Sequence, residues 1–412
     1  MEKEKLIRIL TYVVNTLIVL YLAFLHILAI SQPVNYLSLV FMFLICLLTL
    51  LKKERFIVPL EFLFLIAFSI LCLFSLTWSP NPSLGFGLSF KTIPLLTIMT
   101  LLIYNHVRQN KNPEILVCAV YATGVVMTIS MIVAYGGVGN LLHLMREGYR
   151  LGGIVNNAND VGMALSLASV VAFFLFLNKK YWNIFPAIVF AITSMATGSR
   201  KVVIMLALGG FLSVISLLDF SKGKGKRNTL ILSSSLLFIV LCFVMLFTVP
   251  AFLNMKTRFL TMLNSLAGKA GGDGSTDTRM EMIKVGWNTF KSHPFLGLGI
   301  GTSSLLGFNT YLHNNFIEIL ASLGLLGFML YYSIYVVSFF RAIPLIKQRN
   351  KTAILAIVIN VCWIAVQVGT VTYETKDTYY YLALLSVLSG IYRDEAYEKK
   401  AIDNKLPLIL ID

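Results

Sequence analysis

The sequence predicts an all-α polytopic membrane protein, and three observations carry that reading. Of 412 residues, 57% are apolar and only 13% charged, against about 25% charged in a soluble domain. Mean hydropathy is +0.80. The apolar residues gather into twelve runs, most near the ~20 residues a helix needs to cross a bilayer: roughly 6–30, 35–51, 56–78, 88–104, 114–136, 153–177, 183–198, 201–218, 229–250, 314–340, 352–372 and 378–392. The third observation is the order of the basic residues between those runs.

The first run is too long for a signal-peptide core and lacks a small-residue cleavage site before the next run, so it is expected to stay as an anchor. The seventh, eighth and twelfth runs are short, and a short span relies on local thinning or on burial among its neighbours. With Met1 cytoplasmic, alternate connections carry Lys52-Lys53-Glu54-Arg55, Arg108 and Lys111, Lys179-Lys180, Lys222 to Arg227, and Arg341 to Lys351. Together with the two tails this puts about 22 of the 34 Lys and Arg residues inside, as the positive-inside rule expects. Four regions follow: spans one to nine (1–250), an extracytoplasmic loop with amphipathic helices (251–313), spans ten to twelve (314–395) and a cytoplasmic tail (396–412). Both termini are expected to be cytoplasmic.

The net charge of +15 is then a topology and anionic-lipid signal. No basic face lies on a soluble domain, which argues against nucleic acid as a partner. The five cysteines sit singly inside apolar runs and read as small buried hydrophobes rather than as disulfide or metal ligands. No internal repeat is visible, which weakens a transporter reading.

Two outer segments stand out. Residues 137–152 contain Arg146 and Arg150. Residues 251–313 form a loop of a length that in a compact protein is usually functional. Its Gly-rich centre, 268–275, is expected to be flexible. After it, Thr276 or Asp277 can cap a helix whose Met280, Ile283, Trp287 and Phe290 make one apolar stripe, ended by Pro294. That helix is expected to pack on neighbouring spans or lie in the interface. Gly297-Leu298-Gly299-Ile300-Gly301-Thr302 lacks the preceding strand of a phosphate-cradling loop and reads as flexible backbone.

Several cations are placed outside against the topology rule. Arg200 is the sharpest case: it ends the tight hairpin Ala196-Thr197-Gly198-Ser199 and an apolar run follows. Charge there is expensive unless partnered, and a phosphate or pyrophosphate is the partner guanidinium binds bidentately; the plain alternative is snorkelling to the interface. Arg146, Lys256, Arg258 and Lys269 read as solvated loop charges. Arg150 precedes Gly152-Gly153 and the amides Asn156, Asn157 and Asn159, which can cap the sixth span or bind sugar hydroxyls.

His313 opens the tenth span. At a helix N-terminus the macrodipole disfavours imidazolium, and a neutral imidazole can take a proton from an attacking hydroxyl; alternatively it only caps the span. Asn314 and Glu318 share a helix face and are expected to pair, and Gly324 and Gly327 allow close helix packing.

The pattern Arg279, Trp287, Lys291-Ser292-His293-Pro294-Phe295-Leu296-Gly297-Leu298-Gly299, His313-Asn314-Asn315-Phe316-Ile317-Glu318 and Gly324-Leu325-Leu326-Gly327 resembles the O-antigen ligase/O-antigen polymerase superfamily of bacterial membrane glycosyltransferases. The span layout, the large outer loop and the Gly152–Asn159 and Ser199-Arg200 segments resemble it too. Lys201 departs from it, standing where many members carry a small residue. The resemblance implies a GT-C-type bundle and metal-independent, inverting glycosyl transfer without a cofactor. The donor would be a glycan on undecaprenyl pyrophosphate at the outer face of the cytoplasmic membrane. It also implies that His313 activates the acceptor hydroxyl and that Arg200 and Arg279 hold the pyrophosphate; Arg150, Asn159, Asn314 and Glu318 are further candidates for substrate contact. The run around His313 with Tyr331-Tyr332 looks closer to capsule polymerases than to ligases acting on a lipid or protein acceptor. A glycolipid transporter or flippase is the alternative of another class. Partners would be lipid-linked oligosaccharide, membrane lipids, a flippase and a chain-length regulator.

Overall fold

The structure is a computed structural model that describes residues 2–27, 30–218, 252–267 and 274–403, with scattered positions between 225 and 248. The ninth expected span (229–250) and most of the Gly-rich loop centre lie outside the described residues. Everything regular among the described residues is helical. The helices are α1 (Glu2–Phe24), α2 (Ser31–Lys52), α3 (Leu60–Phe74), α4 (Pro82–Gly87), α5 (Ile93–Gln109), α6 (Glu114–Ala134), α7 (Val138–Arg146), α8 (Ala158–Leu177), α9 (Ile184–Met195), α10 (Arg200–Ile215), α11 (Leu253–Leu266), α12 (Gly274–Ser292), α13 (Asn315–Lys347), α14 (Lys351–Val366) and α15 (Lys376–Asp403).

Eight described helical stretches are long and apolar enough to cross a membrane, so the chain is a multi-pass membrane protein. They correspond to the first six expected spans and to the tenth and eleventh. The seventh, eighth and twelfth expected spans are helices as well: α9, α10 and α15. Helix α15 continues to Asp403, past the expected end of its span, because residues 393–403 are rich in Glu, Lys and Ala, which favour helix.

Helix α8 is the hub, packing against α6, α9 and α10. Small residues make this possible, as in membrane helix contacts generally. A Cβ on Gly124 would meet Ala168 at 2.5 Å, and one on Gly209 would meet Val170 at 2.4 Å. Helix α13 packs on α3 and α15, and α15 on α5 and α14. Thr378 to Leu388 of α15 is buried without interruption: this helix faces protein all round rather than lipid. Asn side chains start three of the helices. Asn157 accepts from the Asn159 N–H at 2.9 Å, Asn314 from Phe316 at 3.0 Å and Ile317 at 3.1 Å, and Asn350 from Ala353 at 3.0 Å, each satisfying amides that the helix leaves unpaired. At the opposite end of the bundle, Arg341 of α13 donates to the buried carboxylate of Glu61, the pairing a charge at that depth requires.

The segment expected to be flexible backbone is among the most firmly held. Helix α13 breaks at Gly324 (φ 64°, ψ −164°), and residues 294–299 run along the break. Leu298 N–H donates to Ala321 C=O at 3.0 Å and Gly299 N–H to Ser322 at 2.8 Å. Leu325 N–H donates to Pro294 C=O at 2.8 Å and Leu326 N–H to Phe295 at 3.2 Å. Four backbone hydrogen bonds thus bridge the break, and pairing of this kind is what makes irregular backbone tolerable inside a membrane bundle. Approach this close needs glycine on both sides. A Cβ on Gly324 would lie 2.4 Å from the Phe295 carbonyl, and one on Gly297 2.4 Å from that of Ser322. Further on, Ile300 is fully buried and its N–H donates to Ser75 Oγ at 3.1 Å.

Helix α12 starts at Gly274, ahead of the expected caps Thr276 and Asp277. It packs on α13 through Met282 and Gly286, both buried, with Gly286 against Leu312 and Ile317. The expected stripe is rotated away from this contact: Met280 is 49% and Trp287 42% exposed, because Met282 and Gly286 make the contact and Gly286 admits the closest approach.

Gly324→Ala puts a Cβ into the Phe295 carbonyl at a left-handed φ. It is expected to lower stability by about 1–3 kcal/mol, read as a drop in the thermal unfolding midpoint in detergent. Gly87→Ala serves as control: φ is −62° there and nothing lies within 4 Å of its Cβ, so the midpoint is expected to hold or rise.

Candidate active site

Four helices begin close to one another at one end of the bundle, and the candidate residues sit on or beside those starts. Arg200 and Lys201 are the first two residues of α10, Asn159 and Asp160 lie in the first turn of α8, Arg279 in the second turn of α12, and His313 just before α13. The first turn of α10 has no acidic residue. Two cations there oppose the positive end of the macrodipole, which ordinarily attracts anions.

The hairpin that presents Arg200 turns on Gly198 (φ 61°) and is strapped to the loop carrying Arg150. Leu151 N–H donates to Ala196 C=O at 3.0 Å. The Arg150 guanidinium donates to Thr197 C=O at 3.1 Å and to Asn159 Oδ1 at 2.9 Å. Arg200 donates to Thr276 Oγ1 at 2.7 Å, which ties α10 to the start of α12 and so to Arg279. Burial first, and then the charges of Arg258, Arg279 and Arg200, push the Arg150 pKa below its ordinary value. These four guanidiniums therefore share one neighbourhood. Lys201, only 9% exposed, lies beside them; burial chiefly, then Arg279 and Arg150, act against its charge and Asp160 acts for it.

His313 is held from both sides. Its own φ is 55°, a left-handed conformation that side-chain-bearing residues avoid and that points to a constrained site. Leu312 before it is fully buried, and its N–H donates to Glu318 Oε2 at 2.8 Å. Asn314 after it is occupied in capping α13, so the expected Asn314–Glu318 pair does not form; each side chain serves the turn from a different side. Asn315, fully buried, accepts from Thr372 N–H at 2.8 Å and Tyr373 N–H at 3.0 Å. It also donates to Tyr332 Oη at 2.9 Å and Gln367 Oε1 at 3.3 Å. The Tyr311 ring lies 4.4 Å from the imidazole, centroid to centroid. Burial chiefly, then the charges of Arg279 and Lys201, lower the His313 pKa to about 4. At pH 7 the imidazole is neutral.

Of the residues singled out in the sequence, Arg150, Asn159, Arg200, Arg279, His313, Asn314 and Glu318 all fall in this region. Asn157 caps α8, in line with the plainer reading of the asparagine run, and Asn156 donates to His26 C=O at 3.0 Å. Arg258 does not behave as an isolated loop charge, since it acts on Arg150. Its position in the amphipathic α11 offers no local signal that would have separated it from Lys256. Asp160, beside Lys201, was also missed; a carboxylate in a helix's first turn looks like ordinary dipole compensation.

If Arg279 holds the His313 pKa down, Arg279→Gln raises it from about 4 toward the ordinary histidine range. Diethylpyrocarbonate modifies only neutral imidazole, so the pH of half-maximal His313 modification, followed by mass spectrometry, is expected to move upward in the variant. No movement contradicts the assigned cause.

Residues 185–332 match the family model described as O-antigen ligase. That interval contains Arg200, Arg279 and His313 together with α13's start, and leaves Arg150 and Asn159 outside it. No curated protein matches the chain significantly. The match falls on the cation-rich part of the helical bundle and supports likeness to the O-antigen ligase/polymerase superfamily, with the O-antigen ligase domain at residues 185–332.

Proposed function

We propose that the chain is a polymerase that joins polyprenyl-pyrophosphate-linked oligosaccharide repeat units into a surface polysaccharide at the outer face of the bacterial cytoplasmic membrane. The match to the O-antigen ligase model supports a glycosyltransferase-like activity on a lipid-linked oligosaccharide. The observation behind the finer reading is the gathering of Arg150, Arg200, Arg258 and Arg279 beside a neutral imidazole. Mutual repulsion among these cations is relieved by an anion, and pyrophosphate suits bidentate guanidinium donors.

In this mechanism Arg200 and Arg279 hold the donor's pyrophosphate. His313 takes the proton of the acceptor hydroxyl as its oxygen bonds to the anomeric carbon. The anomeric C–O bond to phosphate breaks, its electron pair leaves with the polyprenyl pyrophosphate, and the configuration inverts. The arginines stabilise the charge that builds on the leaving group. An imidazole of pKa about 4 is a weak base, but an anion neutralising Arg279 and Lys201 raises its proton affinity. The base is thus activated by arrival of the donor. Asn314 and Glu318 fix the turn that aims His313, and Asn159 fixes Arg150; these are positioning residues. Undecaprenyl as carrier, cytoplasmic termini, independence of metal and cofactor, and a flippase and chain-length regulator as partners belong to the same reading.

Purified protein given lipid-linked repeat units, without ATP or an ion gradient, is expected to produce a ladder of products on a gel. His313→Ala should remove the ladder while the protein still folds and inserts. Arg200→Ala and Arg279→Ala should each slow transfer by about 100-fold or more, with Lys restoring only part of it. A single transfer to a supplied lipid acceptor would indicate a ligase instead, and unchanged substrate a transporter.

A further inference from the structure

A cavity of about 250 Å³ opens beside the His313 turn, between the end of α1, the first turn of α8, α14 and the connection from α14 to α15. Its lining includes His26, Asp160, Trp363, Thr370, Glu374 and Asp377. Thr372 of its wall, and Tyr373 next to it in the chain, donate their N–H groups to Asn315, two residues after His313. Two residues before His313, the Tyr311 phenol feels the Asp160 and Glu374 carboxylates. Cavity and imidazole are therefore neighbours.

We propose that this cavity is the acceptor-sugar subsite, and that it takes a single neutral or amine-bearing sugar ring rather than an acidic one. The inference rests on reading the arginine cluster as the pyrophosphate site. Three carboxylates and several threonine hydroxyls line the cavity, the groups that accept hydrogen bonds from sugar hydroxyls. The one lysine on the rim, Lys376, gives its amine to Asn35 Oδ1. An anionic donor is thus drawn to the cations of Arg150, Arg200, Arg258 and Arg279 and repelled from the carboxylates, so the two substrates are sorted by charge. Asp160 and Lys201, which attract each other, mark the border.

A second observation concerns the imidazole in the same lining. His26 is 6% exposed, and its Nε2 has no hydrogen-bond partner. Asp377 Oδ2 is 3.5 Å away, beyond good hydrogen-bond distance. A buried polar nitrogen left this way carries a desolvation penalty that a sugar hydroxyl removes. The volume is below the roughly 300–1,000 Å³ of pockets for drug-sized molecules and suits one ring, with the face or edge of Trp363, 2% exposed, as its apolar side. Among the described residues no three His, Cys, Asp or Glu side chains could hold a metal ion, so the acidic lining does not read as a cation site.

The probes are the oligosaccharide released by mild acid from the source cell's own polyprenyl-linked pool, and farnesyl pyrophosphate as a short donor lipid. Each is titrated into full-length protein in nanodiscs. Glu374→Gln, Asp377→Asn and the near-isosteric Thr370→Val are expected to raise the oligosaccharide Kd at least tenfold and leave the farnesyl pyrophosphate Kd within twofold, which also shows that the variants are folded. Arg200→Ala is expected to do the reverse. The proposal is overturned if the wild type does not bind the oligosaccharide, if the three variants bind it unchanged, or if they lose both probes together. Wild-type protein that binds both probes in the expected pattern but forms no product ladder supports the subsite and sinks only the polymerase reading.

Discussion

Repulsion among like charges is the constraint around which this end of the bundle is organised. Arg150, Arg200, Arg258, Arg279 and Lys201 converge near the starts of α8, α10 and α12, whose positive dipole ends add to the repulsion. No stability argument favours such a gathering. It persists because three of the five are anchored to something rigid: Arg150 to Thr197 and Asn159, Arg200 to Thr276, Lys201 beside Asp160. The strain of holding them together is the binding potential for an anion, in the way that preorganised donors serve a charged transition state.

Holding that arrangement requires α12 and α13 to keep a fixed relation, since one carries Arg279 and the other presents His313. Two features do this. Gly286 lets the helices touch at Leu312 and Ile317, and residues 294–299 are built into the break of α13 at Gly324 by backbone hydrogen bonds on both sides. The left-handed His313 is then a residue clamped between two buried neighbours, with Asn315 stitching the start of α13 to the connection between α14 and α15. Backbone satisfaction, compulsory in a membrane, does the positioning as well.

Legibility in the sequence followed the range of the interaction. The apolar runs are one-dimensional, and the corresponding helices are present for all of those that fall on described residues. Asparagine capping of α8 is local and was likewise readable. The cation site was half readable: Arg200 stands out because charge beside a span is costly, His313 stood out at the start of a span, and the role proposed for Arg279 came through family resemblance. Arg258, Asp160 and His26 were not readable, because their meaning comes from neighbours forty or more residues away. The glycines at 297, 299 and 301 misled for the same reason. Glycine permits both a loose loop and a tight backbone contact, and the contact partners, Ser322 and Gly85 among them, are remote. The face of α12 was misjudged because a stripe of large apolar residues suggests the packing face, whereas the tightest contact is made where the side chain is smallest.

The central claim is that an anionic donor in the arginine cluster switches on His313 as a base. Proton uptake on binding tests it most directly. Farnesyl pyrophosphate is titrated calorimetrically into the protein near pH 5, above the empty-site pKa of about 4, in two buffers of different ionisation enthalpy, with His313→Ala as reference to subtract the ligand's own protonation. Binding is predicted to draw more protons into the wild type than into His313→Ala. Equal uptake by the two proteins would contradict the account.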